Sequence, residues 1–210
     1  MQFSKQNSEF LIELPIELDK KKIDYTSTLL KNRVIFLDSE IDTEVASKII
    51  TLLYVLNKED PTKEIEIWLM SPGGSVDAFC AIYDIMNSIE APIKTVCIGE
   101  CCSAAAIILA SGTHGLRCSY PNARIMIHQL QCEGLGGSNA EIELNTKELK
   151  QINDHLTEIL SIHTGHAKAK VKRDTKMDKF MSAKEALEYG LIDQIIQPVK
   201  KLPEITSKKE

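Results

Sequence analysis

The chain has no stretch approaching the ~20 consecutive apolar residues that a membrane span needs, and residues 1–18 lack the basic patch and apolar run of a signal peptide. No membrane association is expected, and the cytoplasm is the expected compartment. A long basic stripe is missing too: the formal net charge is −5, so a nucleic-acid partner is not expected. The six cysteines, Cys80, Cys97, Cys101, Cys102, Cys118 and Cys132, include no C-x-x-C pair, and that spacing does not suit a metal. Cys80 and Cys97 lie in apolar runs and read as buried free thiols of a reducing compartment. No solenoid-type repeat is present, and neither metal nor cofactor is expected.

What is present is a 210-residue chain, 43% hydrophobic and 26% charged, which suits one compact domain with a real core and gives no sign of disorder. Val34, Ile35, Phe36 and Leu37 form a β-branched, apolar strand signal, and residues 41–56 show helical spacing. A second strand over residues 65–70 ends in the turn Ser71-Pro-Gly-Gly-Ser75, which runs into an apolar helix over 76–89. The third strand is placed at 93–98 and ended by Gly99. The small-residue run 103–111 reads as a buried helix ended by Gly112. Short strands follow at 117–120 and 123–128, around the Pro121-Asn122 turn, and residues 134–137 form a flexible join. Residues 139–163 then make one long, charged helix, longer than the core needs. Ser182-Ala-Lys-Glu185 is a capping box, Gly190 ends its helix, and residues 192–196 return as a strand. Strands alternating with helices predict α/β layering with right-handed crossovers.

Ser103 opens a helix, where N–H groups without intrahelical partners and the helix dipole favour negative charge. A serine there caps as readily as it attacks. As a nucleophile it needs an adjacent base and N–H donors for an oxyanion, and the turn at Gly73 and Gly74 is positioned to supply a donor. The G-x-S-x-G pattern of α/β hydrolases is absent, since Cys101 and Ala105 flank Ser103. His128 closes the strand 123–128, a place from which α/β units present site residues, and a neutral imidazole there takes a serine proton. His114, His155, His163 and His166 are weaker candidates, with His163 and His166 expected to be exposed. Asp174 and Asp178 are both available to orient the histidine, and composition does not choose between them.

These stretches resemble the proteolytic subunit of the Clp protease from about Tyr25 to Ile196. The likeness rests on Arg33-Val-Ile-Phe-Leu37, Ser71-Pro-Gly-Gly-Ser-Val76, Ala81-Ile-Tyr-Asp84, Pro121-Asn-Ala-Arg-Ile-Met-Ile-His-Gln129, His163-Thr-Gly165, Phe180-Met-Ser-Ala-Lys-Glu-Ala186 and Tyr189-Gly-Leu-Ile-Asp193, in family order. The resemblance implies Ser103 as nucleophile, His128 as base, Asp178 rather than Asp174 as the third member, and an oxyanion hole from the N–H groups of Gly74 and Ala104. It implies a crotonase-like α/β fold of repeated β-β-α units, with residues 139–163 as a protruding handle helix. It divides the chain into an N-terminal axial segment (1–24), the peptidase domain (25–198) and a charged C-terminal tail (199–210). It further implies a homo-oligomer or mixed oligomer of two stacked seven-membered rings that degrades unfolded polypeptides beside a Clp-family ATPase. The chain itself has no G-x-x-x-x-G-K-[ST] motif.

Several positions depart from the family pattern. Glu100-Cys-Cys102 stands for Gln-Ala-Ala, Ala104-Ala105 for Met-Gly, and Leu130 for the usual proline, in a loop to Gly136 that is one residue longer. Lys176 and Met177 replace an acidic residue and an arginine that pair across the ring interface. Glu66 replaces an aromatic residue of the ATPase dock, while Trp68 is kept. An active peptidase, a catalytically impaired structural subunit of a mixed ring and an acyl-CoA enzyme of the same fold family are the readings to separate. The last lacks the site carboxylates such enzymes place.

Overall fold

The computed structural model describes residues 25–132, 134–197 and 199. The expected axial segment and nearly all of the expected tail lie outside the described residues. In chain order the elements are α1 (Tyr25–Lys31), β1 (Val34–Leu37), α2 (Thr43–Glu59), β2 (Ile65–Ser71), α3 (Val76–Ser88), β3 (Ile93–Cys102), α4 (Ala104–Ala110), β4 (Arg117–Ser119), β5 (Arg124–Ile127), α5 (Asn139–Thr164), α6 (Lys168–Asp174), β6 (Lys179–Ser182), α7 (Ala183–Tyr189) and β7 (Gln194–Ile195). Each of β1, β2 and β3 passes into a helix, and strands follow one another directly only at β4 and β5. β1, β2, β3, β4 and β7 lie in that order as parallel neighbours. β5 pairs with β3 in parallel and with β6 antiparallel. No helix among the described residues is long and apolar enough to cross a membrane.

The strand sequences fit this role. Alternate residues Ile65, Ile67 and Leu69 of β2 are wholly buried, against Leu53 of α2 and Phe79 and Ile82 of α3 in the same core. Each such side chain contributes about 1.5–3 kcal/mol by leaving water. Every residue of α4 is buried. Seven residues do not hold a helix in water, so α4 exists because its alanines let it pack closely on β3 and α3. The 26-residue α5 is about 39 Å long; its buried residues are Thr157, Ile159 and Leu160, whereas Leu144 in its first half is 66% exposed.

Gly99 does not end β3. At φ 71 it sits in a step of the β2–β3 register: Leu69 pairs with Cys97 and Ser71 with Cys101, so Met70 alone faces Ile98, Gly99 and Glu100. The step takes one residue into positive φ, where glycine is unstrained, and the glycine read as a break is that residue. Below the step β3 pairs with β4, and above it with β5.

Arg117 is 4% exposed and ties the far end together. Its Nε and Nη2 donate to Asp193 at 2.9 and 2.6 Å, and its Nη1 donates to the carbonyls of Ala110, His163 and Gly190. Those carbonyls belong to the C-terminal ends of α4, α5 and α7, where a cation is favoured. Burial pushes the Asp193 carboxyl up, but the hydrogen bonds and charge of Arg117 outweigh it and hold it below the usual range. His163 and His166 are half-buried rather than exposed. The His163 ring stands 3.1 Å from the Tyr83 hydroxyl and stacks beside His114. Burial, with Arg117 and His114 adding to it, lowers its pKa to about 4.

Two outcomes are expected. Arg117→Ala leaves the half-buried Asp193 carboxylate without its cation and three helix-end carbonyls without a donor, and is expected to lower the unfolding free energy by about 1–3 kcal/mol, measured by urea denaturation; no measurable loss would count against the hub. Because the folded pKa of His163 lies below its ordinary 6.5, the unfolded chain takes up a proton that the folded chain refuses, and stability falls as pH drops from 6.5 towards 4. His163→Gln is expected to flatten that slope, and an unaltered slope assigns it to other groups.

Candidate active site

β2 runs into Gly73 and Gly74, at φ 101 and 151. A Cβ on Gly74 would stand 2.3 Å from the Ile41 carbonyl oxygen, and one on Gly73 would stand 2.7 Å from both the Cys102 oxygen and Ser103 Cβ. Only glycine permits this approach. The turn is fixed by Ile41, whose N–H donates to Gly73 O at 2.8 Å and whose carbonyl accepts from Ser75 N at 2.7 Å. Ser75 then caps α3 through the Ala78 N–H.

Ser103 lies between β3 and α4 at φ 55, ψ −124, and its side chain makes no capping hydrogen bond. The capping role that a serine at this position commonly fills is therefore not the one it fills here. A non-glycine residue at such a φ costs of order 1–3 kcal/mol. It is held there by its N–H, which donates to Met126 O at 2.8 Å, and by its carbonyl, which accepts from Ala106 and Ile107 to start α4. Among the described residues, neither the Gly74 nor the Ala104 N–H donates to a protein acceptor.

The β3–β5 ladder brings the histidine in. Cys102 pairs with Met126, so Ser103 and His128 follow it at the same ends of adjacent parallel strands. Gly74, Ser103, Ala104 and His128 all line one cavity of about 200 Å³, whose walls are Val76, Phe79, Ile107, Ile127, Leu156 and Leu160. The β5–β6 ladder pairs Ile127 with Lys179, which sets Asp178 across from His128 in the backbone. Among the described residues no hydrogen bond joins Ser103 to His128 or His128 to Asp178, and the buried His128 Nδ1 has no partner. Asp178 is exposed.

The other carboxylate is occupied. Asp174 accepts from Lys170 at 2.7 Å and from the Tyr189 hydroxyl at 3.1 Å. Burial raises its carboxyl, and these two partners more than offset that. The thiols beside Ser103 do not compete with its hydroxyl as nucleophiles: burial pushes Cys101 up, with Cys97 adding to it, and burial followed by Glu100 pushes Cys102 up. A neutral thiol is a poor nucleophile. Cys97 is buried as expected and Cys80 half-buried. Among the described residues no group of three or more His, Cys, Asp or Glu side chains is placed to hold a metal.

The residues that hold the segment after His128 have no signature in the sequence. The Gln129 N–H donates to Thr175 O at 2.7 Å, its Nε2 to Lys176 O at 3.2 Å, and the Leu130 N–H to Asn153 Oδ1 at 2.9 Å. An asparagine within a polar helix carries no periodicity or spacing signal by which to find it.

A glycine turn pressed on a strained serine, free N–H groups beside it and a histidine across the same apolar cavity make an arrangement suited to acyl transfer. A family model described as Clp protease matches residues 17–199, a span that includes all of these residues. The chain thus belongs to the Clp protease family, as a proteolytic subunit of that type.

Proposed function

We propose that this subunit is a serine endopeptidase in which Ser103 attacks the peptide carbonyl, His128 takes and returns its proton, and Asp178 orients the imidazole. The observation that carries the reading is the Ser103 backbone. Ser103 is held at a strained φ while its hydroxyl makes no capping bond, and it lines the cavity that His128 borders. The tetrahedral oxyanion is received by the N–H groups of Gly74 and Ala104. The apolar walls fit an apolar side chain next to the scissile bond. Closing the triad requires the Asp178 carboxylate to reach the open Nδ1, since catalytic hydrogen bonds commonly tighten only in the loaded or assembled state.

The remaining features fit a chamber of stacked seven-membered rings into which a Clp-family ATPase threads unfolded polypeptides, with the exposed first half of α5 as the handle between rings. Glu66 is not a lone charge in the expected dock. Its carboxylate takes the Trp68 indole N–H at 2.6 Å and pairs with Lys94 at 3.1 Å, so the patch is polar at its centre and suits a partner loop that is not purely apolar. Met177, 77% exposed, and Lys176 do not supply the acid–arginine pair of the ring interface, which favours assembly with a second type of subunit.

A second reading, a structural subunit without activity, is favoured by the unpartnered His128 Nδ1 alone. A fluorophosphonate probe separates the two: labelling at Ser103 in the native complex supports the peptidase, and no labelling of the folded, assembled protein supports the structural subunit. Ser103→Ala is expected to abolish peptide cleavage while leaving assembly intact. Asp178→Asn is expected to slow cleavage by roughly 10³–10⁴-fold with an unchanged melting temperature. Asp174→Asn, by contrast, removes the charge that pairs with Lys170 and weakens the Lys170 and Tyr189 hydrogen bonds, and is expected to lower the melting temperature while keeping the rate. The opposite pattern in this pair would transfer the orienting role to Asp174.

A further inference from the structure

Beyond Ile127 the chain leaves β5 and crosses the rim of the cavity as residues 128–131, of which His128, Gln129, Leu130 and Gln131 all line it. Two of the three hydrogen bonds that hold this segment go to Thr175 and Lys176, on the stretch that leads to Asp178. The third goes to α5, where Asn153 Oδ1 accepts the Leu130 N–H at 2.9 Å. Asn153 lies one turn before Leu156 and two before Leu160, so it shares their face of the helix, and both leucines are walls of the cavity. Asparagine is a weak helix former. Its half-buried amide at this interior position is matched to one donor on the segment that carries the imidazole.

We propose that Asn153 is a positioning residue of the peptidase site: through the Leu130 N–H it fixes the course of residues 128–131 against α5, and so the placement of the His128 ring and of the rim that meets the substrate. The bond depends on a residue other than proline at 130, because proline has no N–H to give. Leu130 stands where the family resemblance leads one to expect proline, so Leu130 and Asn153 act as a pair: a hydrogen bond to the helix replaces the stiffness of the ring. His128 is aligned from two sides, by the 175–176 stretch and by α5.

This inference rests on the peptidase reading, and a double-mutant cycle in the assembled full-length protein tests it. With a peptide bearing an apolar residue at the cleaved bond, Asn153→Ala is expected to lower kcat by roughly 10- to 100-fold, the scale of a misplaced catalytic group. KM is expected to change less than kcat, and fluorophosphonate labelling of Ser103 is expected to slow in parallel. Asn153→Asp keeps the acceptor oxygen and restores most of the rate. In a Leu130→Pro background, where the donor is gone, Asn153→Ala costs nothing further. If Asn153→Ala does not assemble, Asn153→Ser, too short to reach Leu130, takes its place in the cycle. Equal losses in both backgrounds, or wild-type kcat and labelling in Asn153→Ala, overturn the role of Asn153 and leave the peptidase reading intact. A wild-type complex that neither labels nor cleaves overturns the peptidase reading, and this inference with it.

Discussion

The step in β3 at Gly99 is the constraint on which the site is built. By inserting Ile98, Gly99 and Glu100 opposite Met70 alone, it ends the pairing of β3 with β4 and begins its pairing with β5. Without that change of partner, β5 would not run beside Cys101 and Cys102 to accept the Ser103 N–H, and His128 would not lie beyond the same end of the sheet. The same step sets Cys101 opposite Ser71, so that the glycine turn after β2 lands on the turn after β3. Two close approaches, Gly74 on Ile41 and Gly73 on Ser103, then hold a serine backbone that would relax if it stood alone. The strain of order 1–3 kcal/mol is small against the burial of all seven residues of α4 just behind it, and so it persists.

The two halves of the site are therefore held by different means. Ser103 and the donors beside it belong to the core, fixed by ladders and by buried helices. His128 stands at the end of β5, and Asp178 stands on an exposed join before the short edge strand β6. Beyond the β5–β6 ladder, this second half is held through Gln129, Leu130 and the elements they touch. Single hydrogen bonds contribute about 0.5–1.5 kcal/mol each, far less than the packing behind Ser103. Any change in the surroundings of α5 or of the 175–178 stretch is thus felt first by His128 and Asp178. The unpartnered Nδ1 lies in the part of the site that the fold secures least.

Much of this was legible from residue types. The capping box of Ser182 and Glu185 forms in both directions, and Gly190 closes α7 in the left-handed region. The long helix expected at 139–163 is α5, Asn139–Thr164, and it opens with a second capping box, Ser138 with Glu141, directly after the join expected at 134–137. What failed did so for physical reasons. A lone glycine in a strand signals either a break or a bulge, and only the partner strands decide between them. α6 has one buried residue, Val171, and so shows no apolar periodicity. β6 is short and sits at an edge, where its pattern competes with the capping signal that follows it. The positive φ of Ser103 has no signature in residue type, because it is imposed by Gly73 and by Met126 from elsewhere in the chain. Asp178 was separable from Asp174 only by family likeness; the structure shows in addition that Asp174 is already taken by Lys170 and Tyr189.

Glu66 shows how the local context changes the meaning of a departure. Read alone, a carboxylate on an apolar docking face is a penalty, because burying a charge without a partner is costly. In the sheet, Glu66 pairs directly with Lys94 across the β2–β3 ladder, and its other oxygen takes the Trp68 indole N–H. Burial lowers the Lys94 ammonium and the Glu66 carboxylate more than compensates, leaving its pKa raised. The charge is thus neutralised within the surface. An apolar loop laid over it gains less than over an aromatic ring, since the pair must give up its remaining water, whereas a loop that offers a hydrogen-bond partner does not pay that cost. If the proposed dock forms on this face, it discriminates by what it asks an incoming group to desolvate, while Phe36, packed edge-on against Trp68, offers apolar contact beside the ion pair.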